Sequence, residues 1–63
     1  MNIYIGSQAE VIFHSGDIPS KSVGVFESSD GGWVYWFSDG WAYDSGSAST
    51  ESEALHKAKQ NFR

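Results

Sequence analysis

Trp33-Val34-Tyr35-Trp36-Phe37-Ser38-Asp39-Gly40-Trp41-Ala42-Tyr43 decides the fold of this 63-residue chain. A β-branched and aromatic run is followed by Asp-Gly and then by a second aromatic run. Asp-Gly is a favoured centre of two-residue type I′ hairpin turns, so the stretch reads as strand, turn, strand. Upstream, Asp30-Gly31 separates the same central run from Val23-Gly24-Val25-Phe26. The pattern predicts a three-stranded antiparallel meander with strands near 22–28, 33–38 and 41–45, and a small-residue loop from Gly46 to Ser49.

Two-residue turns also predict a register. Around Asp39-Gly40, Ser38 faces Trp41, Phe37 faces Ala42 and Trp36 faces Tyr43; around Asp30-Gly31, Phe26 faces Tyr35 and Val25 faces Trp36. Opposed residues share a face of the sheet. One face then carries Phe26, Trp33, Tyr35, Phe37, Ala42 and Asp44. The other carries Val23, Val25, Glu27, Val34, Trp36, Trp41 and Tyr43. Both faces are aromatic, so both call for a cover or a partner.

One cover follows the meander. Thr50 with Glu53 three residues on fits a capping box, and Glu51 and Glu53 put negative charge on a first helical turn. Lys57, Lys59 and Arg63 put positive charge on the last turns, and Ala54, Leu55, Ala58 and Phe62 form a narrow apolar stripe. A helix is expected at about 51–62. The N-terminal third reads two ways. Ile3, Ile5, Val11, Ile12 and Phe13 favour strands, with Gly6-Ser7 as a turn, and a hairpin is the preferred reading; Ser7 with Glu10 and a terminal Gly16 would instead suit a short helix. Either could close the second face. The expectation is one α+β domain over residues 1–63: a three-stranded antiparallel meander, extended in the preferred reading by an N-terminal hairpin, packed on one C-terminal helix.

Charge is distributed unevenly. Residues 22 to 56 contain no lysine or arginine but hold Glu27, Asp30, Asp39, Asp44, Glu51 and Glu53, a net charge of −6 within a chain of net −4. Trp33, Trp36, Trp41 and Tyr43 lie in the same stretch. Such a surface attracts cationic partners and repels nucleic acid and anionic membranes. Asp30 and Asp39 fall at opposite ends of the central strand, roughly 20 Å apart for a strand of this length. The candidate partner-binding residues are therefore Glu27, Asp30, Asp39, Asp44, Trp33, Trp36, Trp41 and Tyr43. Local structure also accounts for acids in Asp-Gly turns and on a first helical turn. It does not account for 35 residues without a lysine or arginine.

A chain of this size buries only about 60% of the surface it exposes when unfolded, and its core supplies about 3–5 kcal/mol. With no cysteine, its stability must come from its ten aromatic residues or from association, so monomer and homodimer are both open. The absence of cysteine fits a reducing compartment, and no apolar run approaches the ~20 residues of a membrane span. The expected setting is the cytoplasm, as a complete small gene product. His14 and His56 stand alone, without metal-ligand spacing. Eleven serines have no His/Asp constellation, and seven glycines form no phosphate-cradling motif. No enzyme, metal or cofactor is expected.

The order of three strands and a helix over residues 22–62 is similar to that of double-stranded-RNA-binding domains and of phage-integrase arm-binding domains, with Trp33-Val34-Tyr35-Trp36-Phe37 as the middle strand. Those families carry bases where this chain has Asp30, Asp39, Glu51 and Glu53. In its small size, its acidity and the acidic-aromatic block 27–53, the chain resembles small phage-encoded inhibitors, among them anti-CRISPR proteins and DNA-mimic inhibitors. That resemblance rests on overall character and on no motif. It implies stoichiometric binding to the basic groove of a host nucleic-acid-binding protein, such as a CRISPR effector, in the host cytoplasm. The aromatics would anchor, the carboxylates would stand where phosphates bind, and there would be no direct contact with nucleic acid. The alternatives are a protein-interaction module or homodimer using an aromatic sheet face, and a nucleic-acid binder stacking bases beside Lys57, Lys59 and Arg63.

Overall fold

The computed structural model describes residues 1–60. The elements run β1 (Asn2–Ile5), α1 (Ser7–Ser15), β2 (Ser22–Glu27), β3 (Trp33–Ser38), β4 (Tyr43–Ala48) and α2 (Glu51–Lys59). They form an α+β fold with one four-stranded sheet in the order β1-β2-β3-β4. The β2-β3-β4 meander is antiparallel, whereas β1 pairs parallel to β2. The sheet is therefore mixed, and the expected N-terminal hairpin is replaced by a β1-α1-β2 crossover.

The N-terminal correction has a physical cause. Val11, Ile12 and Phe13 have strand propensity, but Ala9, Ile12 and Phe13 fall on one side of a helix and pack into the core. Tertiary burial outweighs the β-branched preference. Gly16 ends α1 in a left-handed cap, as the helical alternative required, but the start is different. The N-cap is Gly6, no side chain caps this end, and the Glu10 N–H donates to the Gly6 carbonyl. The Ser7–Glu10 capping box is not formed.

Both hairpin registers also differ from those expected. Between β2 and β3 the Ser28 N–H donates to Gly32 O at 2.8 Å and the Gly31 N–H to Ser28 O at 3.2 Å, which closes a three-residue loop, Ser29-Asp30-Gly31. An odd loop moves the pairing by one residue, so Gly24 faces Trp36, Val25 faces Tyr35 and Phe26 faces Val34. Phe26 thus joins the face of Trp36 instead of Tyr35. Between β3 and β4 the Asp39 N–H donates to Ala42 O, so the turn centre is Gly40-Trp41, one residue beyond Asp39-Gly40. Gly40 takes φ 94°, and glycine at the first central position is what a type II′ turn requires. This change moves the register by two: Ser38 faces Tyr43, Phe37 faces Asp44 and Trp36 faces Ser45. Face membership survives. β4 continues to Ala48 through residues expected to be loop, because β3 offers six partners and their small size suits an exposed edge.

β2 is buried at five successive positions, Ser22 to Phe26, so both of its faces are covered. On one face, Trp36 lies flat across Gly24, where a Cβ would come within 2.2 Å of the indole. The Trp36 Nε1–H donates to the Ala9 carbonyl at 3.0 Å, and Tyr4 stacks on the ring at a centroid distance of 6.1 Å. Phe13 of α1 meets Phe26 at 5.5 Å. On the other face, Val23 and Val25 are fully buried, as are Ala54 and Ala58 of α2, the helix that packs along β2, β3 and β4. The sheet is sandwiched between α1 and α2. The N-terminal segment thus closes the second face, as a helix. The start of α2 at Glu51 matches the expected helix; its expected end, with Phe62, lies outside the described residues.

Candidate partner-binding surface

The fold divides the expected site residues between two ends of the sheet. Glu27 and Trp33 are cross-strand partners beside the 28–32 turn, so Glu27, Asp30 and Trp33 share one end. Ala48 pairs with Trp33, which brings the start of α2, with Glu51 and Glu53, to that same end. Asp39, Trp41, Tyr43 and Asp44 form the opposite end, around the 39–42 turn and the start of β4. The one lysine or arginine of the first 56 residues is also there: Lys21 immediately precedes β2, and a Cβ on Gly40 would lie 3.7 Å from Ser20.

Each turn uses its aspartate. The Asp30 carboxylate accepts the Ser28 hydroxyl and the Gly32 N–H, and these bonds, the hydroxyl first, hold its pKa below the usual aspartate value. The Asp39 carboxylate accepts N–H bonds from Ala42 at 2.7 Å and Trp41 at 2.8 Å, which lower its pKa in the same way. A folded-state pKa below the unfolded value means that the stabilisation is present above the ordinary carboxylate range. It is lost as pH falls through the lowered value. Asp44 accepts the neighbouring Ser45 N–H at 2.8 Å, and Glu27 is exposed.

None of these four acids forms an ion pair among the described residues. The ion pairs found there are Glu53–Lys57 at 3.8 Å and Glu10–His14 at 3.8 Å, the second only when His14 is protonated. The acidity read from the sequence is therefore displayed without neutralisation by any described residue at Glu27, Asp30, Asp39 and Asp44. The aromatic candidates separate sharply. Trp36 is fully buried and has no surface to offer a partner, so its role is in the core. Trp33 is half-buried, Tyr43 is 51% exposed, and Trp41 is 98% exposed. Trp41 stands at a turn tip whose backbone is fixed by Asp39, so a large apolar ring is held in water on an ordered support.

Ile3 and Ile5 are the surface residues that sequence reasoning missed. They were expected to help close a face, yet they stay 44% and 49% exposed. The available signal was that Asn2-Ile3-Tyr4-Ile5 contains no charge, proline or glycine to protect an edge strand. Among the described residues the surface has no detected pocket and no group of three or more His, Asp or Glu placed to hold a metal ion. No helix there is long and apolar enough to cross a membrane. No family model matches the sequence, and no significantly similar curated protein or solved structure was found.

Proposed function

We propose that this protein binds, one to one, a basic protein surface that otherwise grips nucleic-acid phosphates, and inhibits by occupying it. The observation that carries the reading is the set of four surface carboxylates, Glu27, Asp30, Asp39 and Asp44, with no cationic partner among the described residues. Charge of this sign favours encounter with a basic groove. Trp41 supports the reading as an anchor, since tryptophan is enriched among residues that dominate binding energy. A CRISPR effector is one target of this class.

A second reading, an interaction module docked chiefly through apolar contact, is favoured by the near-complete exposure of Trp41. The sheet faces themselves do not support it, because α1 and α2 cover their centres. Salt separates the two readings. At about 1 M salt the screening length falls to about 3 Å, which removes long-range attraction but leaves apolar docking in place. The test is to identify proteins retained by the immobilised chain and to titrate each against its own nucleic acid. Inhibition predicts nucleic-acid-binding partners that are released by salt and lose their nucleic acid at stoichiometric dose. Partners that resist about 1 M salt, or keep their nucleic acid at saturation, overturn the proposal.

A further inference from the structure

β1 occupies one edge of the sheet, and its geometry is unlike that of the other edge. The Asn2 N–H donates to Lys21 O and the Gly6 N–H to Val25 O, so the even-numbered residues direct their backbone groups inward to β2. By strand alternation the N–H and C=O groups of Ile3 and Ile5 point outward, along the open edge. Ile3 and Ile5 pair in register with Val23 and Val25 and share their face. The valines are fully buried, whereas the isoleucines are half-exposed because α2 packs along β2, β3 and β4. Outward hydrogen-bonding groups and exposed apolar side chains therefore coincide at the same two residues.

We propose that this edge pairs with the same edge of a second copy, β1 against β1 and antiparallel, about a two-fold axis through Tyr4. The inference is independent of the proposed function. In this register Ile3 of each chain faces Ile5 of the other, and each facing pair exchanges two backbone hydrogen bonds. The outward groups of both residues are used on both chains. Tyr4 faces Tyr4 at the intervening position, where no outward groups need partners. The four isoleucines then lie on one face and extend the buried Val23-Val25 row from one α2 to the other.

The choice of a second copy rests on this self-complementarity and on charge. An isologous interface must match its own patch, and the symmetric placement of Ile3 and Ile5 about Tyr4 does so. Each chain carries net −4, so two copies can approach only where like charge is absent. Residues 2–9 contain no charged side chain. The β4 edge carries the exposed Asp44, and a charged side chain on an edge strand guards it against pairing.

The test is sedimentation of the full chain across a concentration series, with Ile3→Lys as the guard variant. The parent should move from its 6.9 kDa monomer to twice that mass, and folded Ile3→Lys should associate at least ~10-fold more weakly. The register is tested by oxidising a mixture of Ile3→Cys and Ile5→Cys chains. The mixed disulfide should exceed either homodisulfide, since Cα atoms of a hydrogen-bonded antiparallel pair lie about 5.5 Å apart, within disulfide range. If Ile3→Lys fails to fold, the cysteine pair carries the test. A parent that stays monomeric to about 1 mM, including one that takes up an unrelated extended peptide, overturns the proposal. So does a folded Ile3→Lys that dimerises like the parent, or equal linking in the single-variant samples.

Discussion

Gly24 and Trp36 illustrate how a single residue constrains this fold. They face each other across β2 and β3, and the indole occupies the space that any side chain on Gly24 would need. The ring is fixed from three directions: Gly24 below, Tyr4 beside it, and the Ala9 carbonyl accepting its N–H. It is fully buried. Gly24→Ala should therefore cost about 1–3 kcal/mol, the usual cost of overpacking a tight core. That is a large share of the ~3–5 kcal/mol available to so small a domain. Gly46→Ala is the control. A Cβ there would come within 2.6 Å of the Tyr35 hydroxyl, but Tyr35 is half-buried and can swing outward. Thermal or denaturant unfolding should show Gly24→Ala as clearly the more damaging; equal losses would mean that Trp36 is not held as described. The same packing removes Trp36 from the candidate contact residues. Its aromatic character was plain in the sequence, but its burial depended on Gly24 lying opposite, which only the three-residue loop brings about.

At the scale of elements, α2 was legible because its signals are local. Thr50 Oγ1 accepts the Glu53 N–H at 3.1 Å, and the Glu53 carboxylate reaches back to the Ser49 N–H at 2.9 Å, a capping arrangement displaced by one residue on its return bond. Thr50→Ala should lower stability by about 0.5–2 kcal/mol, with loss of helical signal beginning at Glu51. An unchanged unfolding midpoint would place the effective cap elsewhere. The strands of the meander were legible for the same reason, since β-branched and aromatic runs broken by Asp-Gly carry their own boundaries. The registers were not. Whether Asp30 sits inside a two- or a three-residue loop, and whether Asp39 or Gly40 opens the turn centre, depends on one or two backbone hydrogen bonds at each turn. In the first loop the difference is odd and exchanges faces; in the second it is even and does not. α1 was open to misreading because Val11, Ile12 and Phe13 suit either element, and the choice rests on Ala9 and Phe13 meeting Trp36 and Phe26 far along the chain.

The whole molecule separates features that lie together in the sequence. The acidic-aromatic block reads as one continuous surface from Glu27 to Glu53, but β3 holds its two ends apart. Glu27, Asp30, Glu51 and Glu53 gather at one end; Asp39, Asp44, Trp41 and Tyr43 gather at the other, near Lys21. A partner engaging chiefly one end would distinguish between charges that the sequence presents as equivalent. Asp30 and Asp39 are poor probes of this, because each carboxylate holds its own turn and reversal would disturb the backbone. Glu27 and Asp44 are better. The Glu27 carboxylate has no hydrogen bond or ion pair among the described residues, and the Asp44 carboxylate bonds only the neighbouring Ser45 N–H there. Trp41 places the anchor at the Asp44 end, so Asp44→Lys should weaken target binding more than Glu27→Lys. Truncating one member of a desolvated charged pair typically costs about 2–5 kcal/mol, and reversal adds like-charge repulsion. Trp41→Ala should fall in the range of a hot spot, about 2 kcal/mol or more, while leaving the unfolding midpoint almost unmoved, since a side chain so exposed contributes little to the core. Titration of the three folded variants against the isolated target, at two salt concentrations, reads this directly. The expected order is Trp41→Ala and Asp44→Lys well below the parent, with Glu27→Lys between, and a salt slope reduced in both charge variants. Losses confined to Glu27→Lys would move the docking end to the start of α2. Parent-like binding by all three would remove the acidic surface from the mechanism altogether.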